Sequence, residues 1–248
     1  MGDVAESAVG RAIEAMHENL AEPLTVDDMA RTANFSRFHF SRVFQRVTGI
    51  SPGRFMTAIR LAKAKQLLAS TSMSVTEISH RVGYSSLGTF SSRFSSSVGV
   101  SPSAYRQLDG VAPHIAPADG PTGPGQASAT VEGLVSDSLQ TGYVFVGIFP
   151  DAVPEGRPVS CAVRRGPGPY TLENVTPGKW FVLAHHAPAP QRDVGEVRAA
   201  SVGAHGPIMV RPDTVIRADL RLHPMGTFDP PPVLALLDSR SLAMLAVR

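Results

Sequence analysis

Residues 75–106 read VTEISHRVGYSSLGTFSSRFSSSVGVSPSAYR, and residues 26–56 repeat their layout. Each copy has a short amphipathic segment, a turn at Asn34 or Gly83, and a second amphipathic segment that ends at Gly49 or Gly99. The other matching positions are Val26, Asp28, Met29, Phe35, Phe40, Phe44, Ser51 and Pro52 in the first copy and Val75, Glu77, Ile78, Tyr84, Phe90, Phe94, Ser101 and Pro102 in the second. This layout is typical of a helix-turn-helix unit, and its repetition predicts two units in tandem.

The second copy resembles the signature of the AraC/XylS family of bacterial transcription regulators. The residues that carry the resemblance are Gly83, Tyr84, Ser86, Phe90, Phe94, Gly99, Ser101, Pro102, Tyr105 and Arg106. The similarity covers roughly residues 5–107, well under half of the chain. It implies double-stranded DNA as a partner, RNA polymerase as a further partner, and base-contacting residues on the second helix of each unit.

Basic charge is concentrated in the repeat. Residues 25–106 hold 11 Lys/Arg and 3 Asp/Glu, a net charge of +8. Residues 110–248 hold 11 Lys/Arg and 12 Asp/Glu, a net charge of −1. A basic surface of this kind favours phosphate binding, and a solvated basic face is the alternative.

The length of 248 residues favours two modest domains. We place them at residues 1–108 and 130–248, with a linker at 109–129 that holds four Pro and four Gly. No apolar run approaches the ~20 residues that span a bilayer, and the N-terminus MGDVAESAVG lacks the features of a secretion signal. The single cysteine, Cys161, excludes an intramolecular disulfide. These features predict a cytoplasmic protein without membrane contact.

Hydrophobic periodicity predicts an all-α N-terminal domain of about seven helices. The predicted helices are 4–20, 25–33, 37–48, 52–69, one that begins after Ser74, 86–98, and a short one after Pro102. Thr25 and Ser36 are the predicted N-caps of the second and third helices. On helix 52–69 we expect Arg60, Lys63 and Lys65 to stay solvated. The family resemblance implies that this helix joins the two units rigidly and sets two recognition helices about 34 Å apart, one turn of DNA.

Helix 37–48 is the first predicted recognition helix. At 100° per residue, Phe40, Val43, Phe44 and Val47 share one face, which we assign to the core. The predicted base-reading residues are Arg37, Phe38, Ser41, Arg42 and Gln45, and the predicted phosphate contacts are Ser36 and Arg46. In a major groove Arg bonds guanine, Gln bonds adenine, and an aromatic ring touches a thymine methyl. Alternatively, Phe38 is a packing residue against helix 52–69.

Helix 86–98, the second recognition helix, carries a weaker set of donors. Its predicted base-reading residues are Leu87, Gly88, Ser91 and Ser92, and its predicted phosphate contacts are Ser86, Thr89 and Arg93. The family usually has a basic residue where Ser92 stands. A serine hydroxyl bonds bases weakly and without selectivity. The sequence therefore predicts that helix 37–48 dominates base readout.

From Thr130 onward the hydrophobic pattern has a period of two, which predicts an all-β sandwich of about seven strands. The predicted strands are 131–136, 142–149, 159–165, 169–174, 179–186, 214–222 and 233–237. The strand at 142–149 is apolar on both faces, as a central strand requires. The run GPGPYTLENVTPGKWFVLA at 166–184, preceded by Val131, Gly133 and Val135, resembles the carboxypeptidase-regulatory-like and transthyretin-like sandwiches. Such a fold says little about function.

Motifs of common enzyme classes are missing from the sequence. It has no G-x-S-x-G elbow, no Walker loop and no zinc-finger spacing, so we predict no catalytic residue, no cofactor and no metal. The candidate metal ligands are His185, His186, His205 and His223. The first two are adjacent and face opposite sides of a strand, which argues against a shared metal. Cys161 is a predicted core residue, and Trp180 and Tyr170 are predicted core or interface residues, with a ligand pocket as the alternative.

Three roles stay open for the sandwich. It mediates homodimerisation or partner contact, it binds a small-molecule effector, or it carries an enzymatic activity that the DNA-binding unit localises. An interaction module exposes a flat apolar patch or an edge strand, whereas a sensor has a concave apolar pocket.

Overall fold

The computed structural model of the chain describes residues 2–108, 128–136, 142–187 and 200–235. The chain forms two compact units. The first is helical and holds residues 2–108 together with Gly226–Val233. The second holds the other described residues and is built from strands. Of the predicted linker at 109–129, only Ser128 and Ala129 lie within the described residues, so its extent stays a prediction.

The predicted all-α fold of the N-terminal region is confirmed. The described residues of this unit form α1 (Gly2–Glu18), α2 (Val26–Thr32), α3 (Arg37–Thr48), α4 (Pro52–Ser70), α5 (Val75–Arg81), α6 (Leu87–Val98) and α7 (Pro102–Gln107). Their bounds agree with the predicted ones to within two residues, because amphipathic periodicity and cap residues both mark helix ends.

Side-chain caps begin the first helix of each unit. The Thr25 hydroxyl accepts from the backbone N–H of Asp28 at 3.2 Å, and the Asp28 carboxylate accepts from the Thr25 N–H at 2.9 Å. Ser74 and Glu77 form the same reciprocal pair before α5, at 3.2 and 2.7 Å. Each pair satisfies two N–H groups that have no partner within the helix. Ser36 occupies the N-cap of α3 as predicted, but its side chain makes no capping hydrogen bond.

Packed aromatic rings fill the core of each repeat. The ring centroid of Phe44 lies 5.5 Å from that of Phe40 and 5.4 Å from that of Phe55. The second repeat has the same arrangement around Phe94, with centroid distances of 5.6 and 5.8 Å. The partners of Phe94 are Phe90 and Tyr105, and all six rings are at most 3% exposed. Burying a ring of this size contributes about 1.5–3 kcal/mol, so the positions that repeat in the sequence are those that hold each unit together.

Two basic side chains of α4 are not solvated, contrary to the prediction. Lys65 is 5% exposed, its Nζ donates to the Pro232 carbonyl at 3.4 Å, and it lies 5.9 Å from the centroid of the Tyr105 ring. Arg60 is half-buried and bonds two backbone carbonyls. Only Lys63 is exposed as expected. The prediction was wrong because α4 packs against α1, α3, α5 and α7, so it has little outer face.

The predicted C-terminal β-sandwich is also confirmed. Its strands are β1 (Ala129–Ser136), β2 (Tyr143–Phe149), β3 (Cys161–Arg165), β4 (Gly168–Val175), β5 (Gly178–Ala187), β6 (Ser201–Val210), β7 (Val215–Arg217), β8 (Leu220–Arg221) and β9 (His223–Pro224). One sheet has the order β4-β1-β7, with β8 also paired to β1, and the other has the order β3-β2-β5-β6-β9. Alternate residues of both sheets, among them Val131, Leu172, Val146 and Val182, form one buried core. β2 lies between β3 and β5, as predicted for a central strand.

The strand predictions failed in the last third of the described chain. β6 was missed because its run SVGAHGPIMV is interrupted by Gly203, Gly206 and Pro207 and shows no alternation. The alternate burial predicted for 214–222 is present, but the segment is divided. Its two parts pair with β1 as β7 and β8. The chain then crosses to the other sheet after Leu222, where the next two residues pair with β6 as β9. No strand forms at 233–235, and residues 236–237 lie outside the described residues.

The aromatic side chains singled out in the sandwich are core residues. Tyr170 is 5% exposed, its hydroxyl donates to the Ala218 carbonyl, and burial raises its pKa. Trp180 packs against the same core, and its indole N–H donates to the Thr176 carbonyl at 2.8 Å. Cys161 is half-buried, and burial raises the pKa of its thiol, which disfavours the reactive thiolate.

Candidate nucleic-acid interface

α3 buries one face and exposes the other. Phe40, Val43 and Phe44 are at most 5% exposed and fix the helix against the core. Phe38 lies on the opposite face and is 86% exposed. The alternative in which Phe38 packs against α4 is therefore wrong. A large apolar side chain with this exposure contributes little to folding and is available to a partner.

The predicted base-reading residues of α3 share one accessible surface around Phe38. Arg37, Arg42 and Gln45 are exposed, and Ser41 is half-buried. The Ser41 hydroxyl donates to the Arg37 carbonyl at 2.9 Å. These positions fall at i, i+1, i+4, i+5 and i+8 along the helix, which places them on one side of it. Their contact with DNA stays a prediction. We refer to these five residues as the α3 surface.

The cations on the α3 surface and beside it differ in their surroundings. The Arg37 guanidinium lies 3.6 Å from the Asp27 carboxylate, and both side chains are more than half exposed. Such a pair is worth about 1 kcal/mol or less. Within the described ranges, neither Arg42 nor Arg46 has an ion-pair partner. Both are exposed, so their charge is available to a nucleic acid.

The other two carboxylates of the repeat are engaged in helix caps. Hydrogen bonds from the Thr25 side chain and backbone hold the pKa of Asp28 below its ordinary value of 3.8. Ser74 does the same for Glu77, whose ordinary value is 4.5. These acids are ionised at neutral pH and tied to the starts of α2 and α5. They therefore stand at fixed positions outside the two predicted recognition helices.

The face of α6 that corresponds to the α3 surface is small and weakly polar. Leu87, Gly88 and Ser92 are exposed, whereas Ser91 and Arg93 are half-buried. The remaining predicted contacts are engaged with each other. The Ser86 hydroxyl accepts from the Thr89 N–H at 3.2 Å and donates to the Thr89 hydroxyl at 2.9 Å. This helix offers few long donors for base edges.

Two arginines organise the helical unit, a role that the sequence did not predict for either of them. Arg106 donates from Nε to the Leu68 carbonyl at 3.3 Å and from a terminal nitrogen to the Met73 carbonyl at 2.5 Å. These bonds hold α7 to the end of α4 and to the segment before α5. Arg60 makes an equivalent pair of bonds to the loop between α1 and α2, and burial lowers its pKa. Backbone carbonyl partners leave no signal in a sequence pattern.

The four candidate metal-ligating histidines lie in the part of the chain that the structure describes. In that part, no group of three or more His, Cys, Asp and Glu side chains is placed to hold a metal ion. His185 and His186 pair with Phe145 and Val144 on β2, so their side chains alternate across β5 as predicted. None of the described helices is long and apolar enough to cross a membrane.

Comparison with known proteins identifies the helical unit. A family model described as a helix-turn-helix domain matches residues 29–108. The lactose operon transcription activator of Staphylococcus xylosus is 34% identical over 104 residues, which make up 42% of this chain and 37% of that protein. The HTH-type transcriptional activator AarP of Providencia stuartii is 29% identical over 103 residues, which make up 42% of this chain and 76% of AarP.

A solved structure is similar over a comparable share of the chain. It is the DNA-binding domain of AdpA, a global transcriptional factor, in complex with a target DNA. It is 31% identical, covers 40% of this chain and 90% of that chain, and has a TM-score of 0.39. The chain spans 37% of the length of the first relative named above. The segment matched by the family model begins within α2 and ends after α7, so it contains both predicted recognition helices. Residues 29–108 therefore form a helix-turn-helix domain similar to that of the lactose operon transcription activator.

Proposed function

We propose that the chain is a sequence-specific DNA-binding transcription regulator of the AraC/XylS type, without enzymatic activity, in which α3 dominates base readout. The observation that carries the proposal is the α3 surface, where an aromatic ring 86% exposed to solvent stands beside two guanidinium groups and an amide. A solvated protein surface gains nothing from such a ring. In a major groove the same groups match thymine methyl, guanine and adenine edges.

We infer that the two recognition helices contribute unequally. The α3 surface offers Arg42 and Gln45, which can form paired hydrogen bonds to one base. Ser91 and Ser92 on α6 offer single rotatable hydroxyls, which discriminate poorly between bases. The expected operator is therefore asymmetric. One half-site is sharply specified, and a second, one helical turn away, is held mainly through its phosphates.

Selection of binding sites from randomised DNA by the intact protein tests this function. Arg42→Ala should weaken binding to the selected site by about 1–3 kcal/mol and reduce the base preference at one or two base pairs. Ser92→Ala, the matched change on α6, should leave both affinity and preference nearly unchanged. Ser92→Arg should sharpen the second half-site. Two half-sites of equal information content, with Arg42→Ala near neutral, would show that α3 does not dominate.

For the sandwich we propose a role in homodimerisation, with binding of a small-molecule effector as the competing role. Two exposed apolar side chains support this choice. Met209 is 66% exposed and Val215 is 67% exposed, and they flank the turn at 211–214. Dimerisation would place two DNA-binding domains in one particle and raise their apparent affinity through effective concentration. RNA polymerase is the second macromolecular partner that a cytoplasmic regulator of this type requires.

Sedimentation of the intact protein distinguishes the two roles of the sandwich. We expect a dimer at tens of micromolar that Met209→Glu with Val215→Glu converts to monomer. Thr171→Glu, an exposed position on β4, is the matched control and should leave the dimer intact. A monomer at this concentration, together with a melting temperature raised by a small molecule, would favour the effector role instead.

A further inference from the structure

Arg60 anchors the middle of α4 to the first helix-turn-helix unit. Its Nε donates to the Leu20 carbonyl at 3.1 Å, and a terminal nitrogen donates to the Glu22 carbonyl at 2.8 Å. Both carbonyls belong to the loop between α1 and α2. Two backbone hydrogen bonds stabilise this loop. The Glu22 N–H donates to the Asn19 carbonyl at 3.2 Å, and the Leu24 N–H donates to the Glu22 carbonyl at 2.8 Å. The guanidinium is therefore held by a fixed part of the first unit.

Gly83, in the turn of the second unit, lies against the same groups. A Cβ at this position would come within 2.2 Å of the Leu20 carbonyl oxygen and 2.7 Å of a terminal nitrogen of Arg60. The first of these atoms is backbone and cannot move aside cheaply. The turn that precedes α6 is thus in direct contact with the α1–α2 loop and with the arginine that anchors α4 to it.

The corresponding turn of the first unit has the same conformation but open surroundings. φ is 57° at Asn34 and 85° at Gly83. In both turns the N–H of this residue donates to the carbonyl three residues earlier. The N–H of the next residue donates to the carbonyl five residues earlier, and all four distances are 2.9–3.0 Å. Asn34 is exposed. Asparagine tolerates this φ, so the close approach to Leu20 and Arg60, and not the turn itself, is what requires glycine at position 83.

We propose that Arg60 and Gly83 form a junction that fixes the orientation of α6 relative to α3, and so determines where the second unit meets the DNA. The proposal rests on the DNA-binding function proposed above. Both residues act through the position of α6 and are positioning residues. The structural reason is that displacing the second unit would break the Arg60 bonds or force Gly83 against a carbonyl.

The test is hydroxyl-radical footprinting of the intact protein on the operator that the wild type selects. Arg60→Ala removes the anchor, and Arg60→Lys retains one donor. Gly83→Asn introduces a side chain while keeping a residue that accepts the φ, and Asn34→Gly is its matched control in the first turn. The footprints are compared at equal occupancy, and the slope of log affinity against log salt is measured alongside.

Wild type should protect two backbone patches one helical turn apart. Arg60→Ala and Gly83→Asn should keep the patch over the half-site read by α3 and lose the second patch. Affinity should fall about tenfold, equivalent to ~1.4 kcal/mol, and the salt slope should shrink by about 2, the value for two lost phosphate contacts. Arg60→Lys should restore part of the second patch, and Asn34→Gly should leave both.

Different results would overturn different claims. If Arg60→Ala and Gly83→Asn keep both patches at equal occupancy, whether or not affinity falls, the junction does not position α6. If Asn34→Gly loses the second patch as well, the turn conformation and not the junction is responsible. If the wild type selects no sequence and protects no discrete patch, the proposed function fails. Thermal melting of each variant identifies loss of folding, and Arg60→Lys keeps the test decisive if Arg60→Ala unfolds.

Discussion

At the scale of the single residue, exposure separates the two phenylalanines that matter most on α3. Phe44 is completely buried and packs between two other rings, whereas Phe38 is 86% exposed. The two residues lie on one helix and have the same chemistry. Burial alone therefore assigns one to folding and the other to binding.

Substitution of each phenylalanine by alanine tests this assignment. Phe38→Ala should change the free energy of unfolding by less than about 0.5 kcal/mol, the usual limit for surface changes. It should also reduce affinity for the selected operator, and this loss of affinity should occur only on operators that contain thymine at the contacted position. Phe44→Ala should destabilise by about 3–5 kcal/mol. Thermal melts and binding titrations measure both, and a large loss of stability in Phe38→Ala would contradict the assignment.

At the scale of the element, α2 and α5 are short helices that depend on their N-terminal caps. Each has seven residues, which is too few to be stable alone. Their capping boxes supply hydrogen bonds to N–H groups that have no partner within the helix. The same bonds lower the pKa of Asp28 and Glu77. A carboxyl with a lowered pKa contributes stability that is present above its unfolded value and is lost as the pH falls through the folded value.

The helical unit should therefore lose stability as the pH falls below about 4.5, the ordinary value of Glu77. Glu77→Gln, which keeps a hydrogen-bonding side chain but cannot ionise, should make this loss shallower. Melting temperatures of the intact protein between pH 7 and 3 measure the effect. Glu132→Gln, at an exposed carboxylate of the sandwich, is the control and should follow the wild type. Equal slopes in Glu77→Gln and wild type would refute the claim.

At the scale of the whole molecule, charge is divided between the two ends of the chain. The repeat carries +8 and residues 110–248 carry −1. Within the repeat, two of the three acids are held in caps and the third pairs with Arg37. Binding to DNA should release counterions in proportion to the phosphates that the repeat neutralises.

The slope of log affinity against log salt should correspond to roughly 5–8 neutralised phosphates. Arg46→Ala should reduce this slope by about 1 and weaken specific and non-specific binding alike. Arg157→Ala, an exposed arginine of the sandwich, is the matched control and should leave the slope unchanged. A change of sequence preference in Arg46→Ala would mean that this residue contacts a base.

The sequence by itself determined the helices, most strands and the composition of the α3 surface. Periodicity and caps are local, so they can be found in a single chain without a fold. The same information placed Arg60 and Lys65 in solvent, because their partners are backbone carbonyls that leave no signal in the sequence. It missed β6 because Gly203, Gly206 and Pro207 interrupt the pattern of that strand. Only the tertiary structure decided that Phe38 is exposed and that Lys65 is buried against Pro232. Only the structure could show why position 83 holds glycine, since φ permits asparagine there and the Leu20 carbonyl does not.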